Sequence, residues 1–191
     1  MQVGSLPRRI LGVDPGSSVT GYGVVERCGA RVRHVAHGTL RSARGASLGE
    51  RLAAIQAGLV RAIAEHAPEV AVVERVFAGR SARSALVLGH ARGVALATAA
   101  AAGLAVVEYT APEIKLAVVG TGAAEKRQVQ AMVTQLLALD GAPALDAADA
   151  LAAALCHAHR GPLGALALAV AGVGRRRASR AASRVVVRRA R

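Results

Sequence analysis

Ile10–Asp14 is a short apolar run that stops on an acid and meets Pro15 and Gly16 at once. A run of that length, bounded by a turn signal, reads as a buried strand. Whatever sheet this strand joins must therefore carry a carboxylate at one edge. Gly21–Glu26 reads as a second strand and Val32–Leu40 as a third, so the chain opens as an antiparallel meander. The rhythm then changes. Leu48, Leu52, Ile55, Leu59 and Ile63 recur at helical spacing, which predicts an amphipathic helix over 47–66, closed by Pro68. Val70–Glu74 is another buried strand, 81–102 a helix and Leu104–Tyr109 a strand. Residues 112–119, 124–139 and 145–158 follow as helices. A meander that gives way to alternating helices and strands implies an α/β fold, a mixed sheet with helices on its faces.

The length of 191 residues suits one domain with a tail, drawn here at 8–160 and 161–191. Phe77, Tyr22 and Tyr109 are the only aromatics, so the core must be assembled from small aliphatic side chains. The formal charge is +13. Residues 175–191 hold eight Arg and no acid; without them 17 basic residues face 12 acidic ones. The body is mildly basic, and the tail reads as a disordered low-complexity segment adding non-specific affinity for a polyanion. Cys28 and Cys156 form no metal-spaced pair and no disulfide framework. No apolar run follows Arg8 and Arg9 as a signal peptide would require, and the stretches 93–107 and 161–174 are short for a bilayer. The expectation is a cytoplasmic, nucleoid-associated protein with no membrane partner.

The chemistry-bearing groups are few. The chain has four Asp, at 14, 140, 146 and 149. Asp14 ends the first strand and Glu74 ends a later one, at strand ends where α/β sites are built. Asp146 and Asp149 are three apart and share one face of a helix. Carboxylates gathered in this way can fix two hard cations, which activate a water and stabilise a leaving oxygen in phosphodiester hydrolysis. Taken singly, each has a structural alternative: an Asx turn at Asp14, a solvated strand edge at Glu74, and macrodipole compensation at Asp146 and Asp149. Spacing alone leaves the choice open.

The surrounding text narrows it. LGVDPGSSVTGYGVVE at 11–26, VVERVFAGRSARSALVLGHARGVAL at 72–96, EYTAPEIKLAVVGTGAAEKRQVQAMV at 108–133 and LDAADALAAALCHAH at 145–159 resemble, in order, the bacterial RuvC family of Holliday junction resolvases. The resemblance covers roughly residues 10–160. It implies a ribonuclease H-like fold with a five-stranded mixed sheet flanked by helices. It implies an endonuclease that resolves four-way junction DNA in recombination and repair, by symmetric nicks in two opposing strands. It implies a homodimer, two Mg²⁺ per subunit (Mn²⁺ substituting) on Asp14, Glu74, Asp146 and Asp149, and the RuvA–RuvB branch-migration complex as a partner.

Further residues gain roles by the same resemblance. The chain has 23 Arg and only two Lys, and both Lys115 and Lys126 fall where the family places functional lysines. An ammonium is a compact point charge, unlike a planar guanidinium. Lys126 is expected at the scissile phosphate and Lys115 on the DNA backbone. Phe77, three residues past Glu74, stands where the family stacks an aromatic on a junction base. Arg75, Arg80 and Arg83 are expected DNA contacts. Arg75 departs from the Gln of many relatives, and the Arg-rich extension is unusual; neither touches the catalytic set. The Ala-, Leu- and Gly-rich helix around 81–102 is the expected dimer face. Two other readings exist. A sugar-kinase or actin-like ATPase also opens with a strand, an Asp and a Gly-Ser turn, but needs two such domains. A non-catalytic junction-binding module of the same fold would not need all four carboxylates.

Overall fold

The computed structural model describes residues 8–16, 18–75 and 82–176, with side chains up to 160 apart from that of Arg83. The elements in chain order are β1 (Arg8–Asp14), β2 (Val19–Cys28), β3 (Arg31–Arg41), α1 (Leu48–His66), β4 (Val70–Arg75), α2 (Ala82–Ala101), β5 (Ala105–Thr110), α3 (Ala111–Val119), α4 (Lys126–Leu136) and α5 (Leu145–Arg176). They form a five-stranded sheet ordered β3-β2-β1-β4-β5. The β1–β2 and β2–β3 pairs are antiparallel, and the β1–β4 and β4–β5 pairs are parallel. The mixed sheet expected from the order of elements is the one observed.

Two cores follow from strand alternation. Leu11, Val13, Val24 and Val73 face Ile55 and Leu59 of α1 and Ala91 and Ala95 of α2. Ile10, Val25, Val70, Val72 and Tyr109 face α3, α4 and α5. The same period places Gly12 and Asp14 with Ile10, and Glu74 with Val70 and Val72, on the α5 side. Alternation thus decides the face on which the two strand-end acids lie.

Alpha-helix starts are fixed by reciprocal caps. Ser47 Oγ accepts from the Glu50 amide, and the Glu50 carboxylate accepts from the Ser47 amide at 2.7 Å. Thr110 and Glu113 repeat the box as β5 turns directly into α3. Ala67, at φ 45°, takes the left-handed position that ends α1 just before Pro68.

The edge strand β3 contains one irregularity. Its register against β2 steps from Ala36 to His34, leaving Val35 without a partner. This bulge resets the alternation, so His34 and His37 come to one face with ring nitrogens 2.8 Å apart.

The strands β1 and β2 run up to two residues beyond expectation, and boundaries differ most in two helices. The helix expected over 124–139 runs from Lys126 to Leu136. The helix expected over 145–158 continues to Arg176, although Gly161 and Pro162 mark a stop in the sequence. The Ala- and Leu-rich residues 163–171 favour helix locally. The chain divides into two compact units, Met1–His159 and Arg160–Arg191.

Ser84–Ala101, within α2, is long and apolar enough to cross a bilayer by length and composition. Here it belongs to the folded layer: Ala91, Ala95 and Ala99 are buried, and Arg92 pairs with Glu108 of β5.

Candidate active site

The carboxyl ends of β1 and β4 lie side by side, because Val13 pairs with Val73 in a parallel register. The next residues in register are Asp14 and Glu74. Beyond Asp14 the chain must turn sharply into β2. A side chain at Gly16 would put its Cβ 2.0 Å from the Val19 carbonyl oxygen, so only glycine fits there. Buried Thr20 fastens the same turn, its hydroxyl donating to the Gly16 carbonyl at 2.9 Å and accepting from the Gly16 amide at 3.3 Å.

The other pair of acids arrives on α5, which lies unusually close to the sheet. A Cβ at Gly12 would stand 1.9 Å from the Ala150 carbonyl oxygen, and one at Gly21 would stand 1.9 Å from that of Asp146. At Gly23 it would meet Leu151 at 2.6 Å. Three glycines therefore open a trough in β1 and β2, and the first turns of α5 settle into it. Asp146 and Asp149 are thereby carried to the edge where Asp14 and Glu74 end.

A cleft of about 540 Å³ results. Asp14, Glu74, Asp146, Asp149, Arg75, Lys115 and Lys126 all line it. The sequence-predicted residues Phe77 and Arg80 lie outside the described residues, and so does the side chain of Arg83, in the first turn of α2. Thr20, the three trough glycines and the Tyr109–His157 hydrogen bond of 2.9 Å, which ties β5 to α5, were not singled out by sequence. Glycine at both 21 and 23 within a strand was the available signal, since such a pair marks close backbone approach.

The electrostatics of the cleft are those of crowded acids. The Asp14 carboxyl is pushed up to about 7, first by burial, then by Glu74 and Asp149; Lys126 opposes the rise, and Asp146 adds to it. Lys126 donates to Asp149 Oδ2 at 2.6 Å. Burial alone would lower the Lys126 pKa, but the hydrogen bond to Asp149 and the charges of Asp149, Asp14 and Asp146 raise it overall. Among the described residues, no three Asp, Glu, His or Cys side chains are already arranged to hold a metal ion. The donor set nevertheless suits a hard divalent cation. It consists of oxygens, it carries a surplus of negative charge, and Mg²⁺ needs only a few carboxylates when waters and substrate phosphates complete its shell.

A mixed sheet in this order, with acids converging at the ends of β1 and β4 and on the final helix, defines a ribonuclease H-like nuclease. The family model described as "Crossover junction endodeoxyribonuclease RuvC" matches residues 10–157. A protein of that name from Halorhodospira halophila is 57% identical over 151 residues, covering 79% of this chain and 90% of the relative. The Thermus thermophilus RuvC structure superposes with a TM-score of 0.72 at 34% identity, covering 82% of this chain and 96% of that one. T. thermophilus RuvC in complex with Holliday junction substrate gives 0.76 at 33% identity, with the same coverage. The chain belongs to the RuvC family of crossover junction endodeoxyribonucleases. Its activity is endonucleolytic resolution of Holliday junctions.

Proposed function

We propose that cleavage takes place in the cleft between the ends of β1 and β4 and the start of α5. The observation that carries this reading is that all four expected carboxylates and both lysines of the chain line one cavity. Asp14, Glu74, Asp146 and Asp149 would hold two Mg²⁺ ions per subunit, with Mn²⁺ able to substitute. When bound, the ions supply an activated water and charge stabilisation for the leaving oxygen.

The chain's own groups do the rest. Asp14 and Glu74 sit on rigid strand ends, and the trough glycines fix Asp146 and Asp149 opposite them. Lys126 stabilises charge developing on the scissile phosphate. Lys115 and Arg75, on the cleft wall, contact the DNA backbone, with Arg80 and Arg83 as further phosphate contacts and Phe77 stacking on a base near the junction centre.

Two copies would act together. A four-way junction has an approximate two-fold axis, and an isologous dimer presents equivalent sites to opposing strands. The symmetric nicks would leave 5′-phosphate and 3′-hydroxyl ends. The exposed apolar side of α2, with Leu86 63% exposed, supports that helix as the dimer face. The four-way junction and the RuvA–RuvB complex are the partners of this reading, in the cytoplasm on the nucleoid.

A synthetic four-way junction incubated with Mg²⁺ tests it. Wild-type protein should nick opposing strands, whereas Asp14→Asn should bind the junction and leave it uncut. Cleavage retained by Asp14→Asn would remove Asp14 from the metal site. Binding without nicking by the wild type would favour a non-catalytic module.

A further inference from the structure

We propose that Lys126 is an internal counter-ion for the carboxylate cluster, clasping Asp149 until an incoming divalent cation displaces it. The inference rests on the metal-site reading above and adds a step that precedes it. The ammonium lies 2.6 Å from Asp149 Oδ2, across the gap between α4 and α5. The two ends of this bridge differ in exposure: the Asp149 side chain is 16% exposed and that of Lys126 is 61% exposed. The acid is thus held in the wall, while the lysine reaches in from solvent and can leave again.

The surroundings fix everything except the lysine stem. Lys126 is the first residue of α4, and the Glu125 amide donates to Gln128 Oε1 at 2.8 Å in the cap before it. Gln130 donates to the Pro143 carbonyl at 2.7 Å, tying α4 to the segment that leads into α5. The backbone therefore holds Lys126 opposite Asp149, and only side-chain torsions need change for the bridge to open.

Clasp and cation exclude one another. Like charges repel, and a divalent ion on Asp149 would repel the ammonium twice as strongly as a unit charge at the same distance, in a cleft where burial weakens solvent screening. A cation taking the same carboxylate expels the ammonium into the cleft, where a phosphate would be its next partner. Lys126 thus keeps the metal-free cluster together and becomes available to substrate only once the ligands are filled.

Lys115 supplies a matched control. It lines the same cleft, carries the same charge and makes no ion pair among the described residues. Since these are the chain's only lysines, their ammonium nitrogens can be told apart by NMR of lysine-labelled protein.

The test titrates Mn²⁺ into DNA-free protein, following free Mn²⁺ by electron paramagnetic resonance. Lys126→Met should bind Mn²⁺ about fivefold more tightly than wild type while cutting junctions poorly, the upper end of the scale for an ion pair whose lysine is largely exposed. Lys126→Arg, which keeps the charge, should stay near wild type, and Lys115→Met should change affinity less than about threefold. In parallel, the Lys126 nitrogen resonance should move saturably with Mg²⁺ and that of Lys115 much less. Equal or weaker Mn²⁺ binding by a folded Lys126→Met overturns the clasp. So does an equal gain from Lys115→Met, which would reduce the effect to general charge, or a Lys126 resonance unmoved at saturation. Mn²⁺ uptake that is not saturable in both wild type and Lys126→Met overturns the metal site and the clasp together, a different result from any of these.

Discussion

Two alanine-rich helices lie on opposite faces of the same sheet and are buried in different ways. From Ala147 to Cys156, every side chain of α5 except Asp149 is buried. Among the described side chains of α2, burial is confined to Ala91, Ala95, Thr98 and Ala99, a single stripe, while Leu86 on the same helix stands exposed. Composition does not separate the two. The sheet does: α5 meets Gly12, Gly21 and Gly23, whereas α2 packs with Leu11, Val13 and Val73. Glycine lets a helix backbone descend until nearly its whole circumference is covered, and branched side chains hold a helix off as a separate layer. The first arrangement fixes the position of Asp146 and Asp149. The second leaves Leu86 and part of an apolar face exposed, the face proposed above for self-association.

The most severe way to break this contrast is to fill the trough. Gly12→Ala should cost about 3 kcal/mol or more, because backbone at Ala150 cannot yield as a side-chain tip can. Chemical denaturation measures it. A loss below about 1 kcal/mol would mean that α5 does not seat as closely as described.

A smaller effect comes from the charge that the close approach creates. Asp14 has its folded pKa raised from 3.8 to about 7, so in the metal-free protein the folded state holds this proton more tightly than the unfolded state. The contribution to stability is full below about pH 4 and lost as pH rises through about 7. Metal-free wild type should therefore lose of order 1–3 kcal/mol between pH 5 and 8 that Asp14→Asn does not lose. Thermal melts of both proteins across that range, in chelator, decide it. Parallel pH dependence would dissociate Asp14 from the trend.

The smallest changes belong to α2. A Cβ at Gly93 meets nothing within 4 Å, so Gly93→Ala should stabilise the fold by up to about 1 kcal/mol, the reverse of the trough. Leu86→Glu should leave subunit stability within about 0.5 kcal/mol and weaken self-association in sedimentation. Unchanged association would move the dimer face elsewhere.

Much of this was legible in the sequence, for reasons that can be located. Periodicity is a local property, so Leu48 to Ile63 announced α1, and the runs ending at Asp14 and Glu74 announced β1 and β4. Capping is also local, yet the Ser47–Glu50 box that starts α1 was not singled out by sequence, because the apolar spacing alone already announced the helix. The cleft itself was less accessible. Spacing could put Asp146 and Asp149 on one helix face but not bring that face to β1; the resemblance grouped the four acids, and the glycine trough accounts for their meeting. The Lys126–Asp149 bridge joins residues 23 apart on two helices, and no local pattern encodes it. The extension of α5 past Gly161 and Pro162 went unread because breaker residues outweigh the weaker preference of the alanines and leucines that follow. Arg75, expected only as a DNA contact, lines the cleft, carried there by the strand that presents Glu74.

The trough has a consequence for how such a chain can vary over evolutionary time. A surface on which backbone rests against backbone has no side chain to trade, so each of its positions tolerates few alternatives. Drift in this protein should therefore pass around the trough and collect where α2 faces solvent. A lineage could acquire a new subunit contact there while its cutting chemistry stays unchanged, and the two properties can be inherited almost independently although they share one sheet.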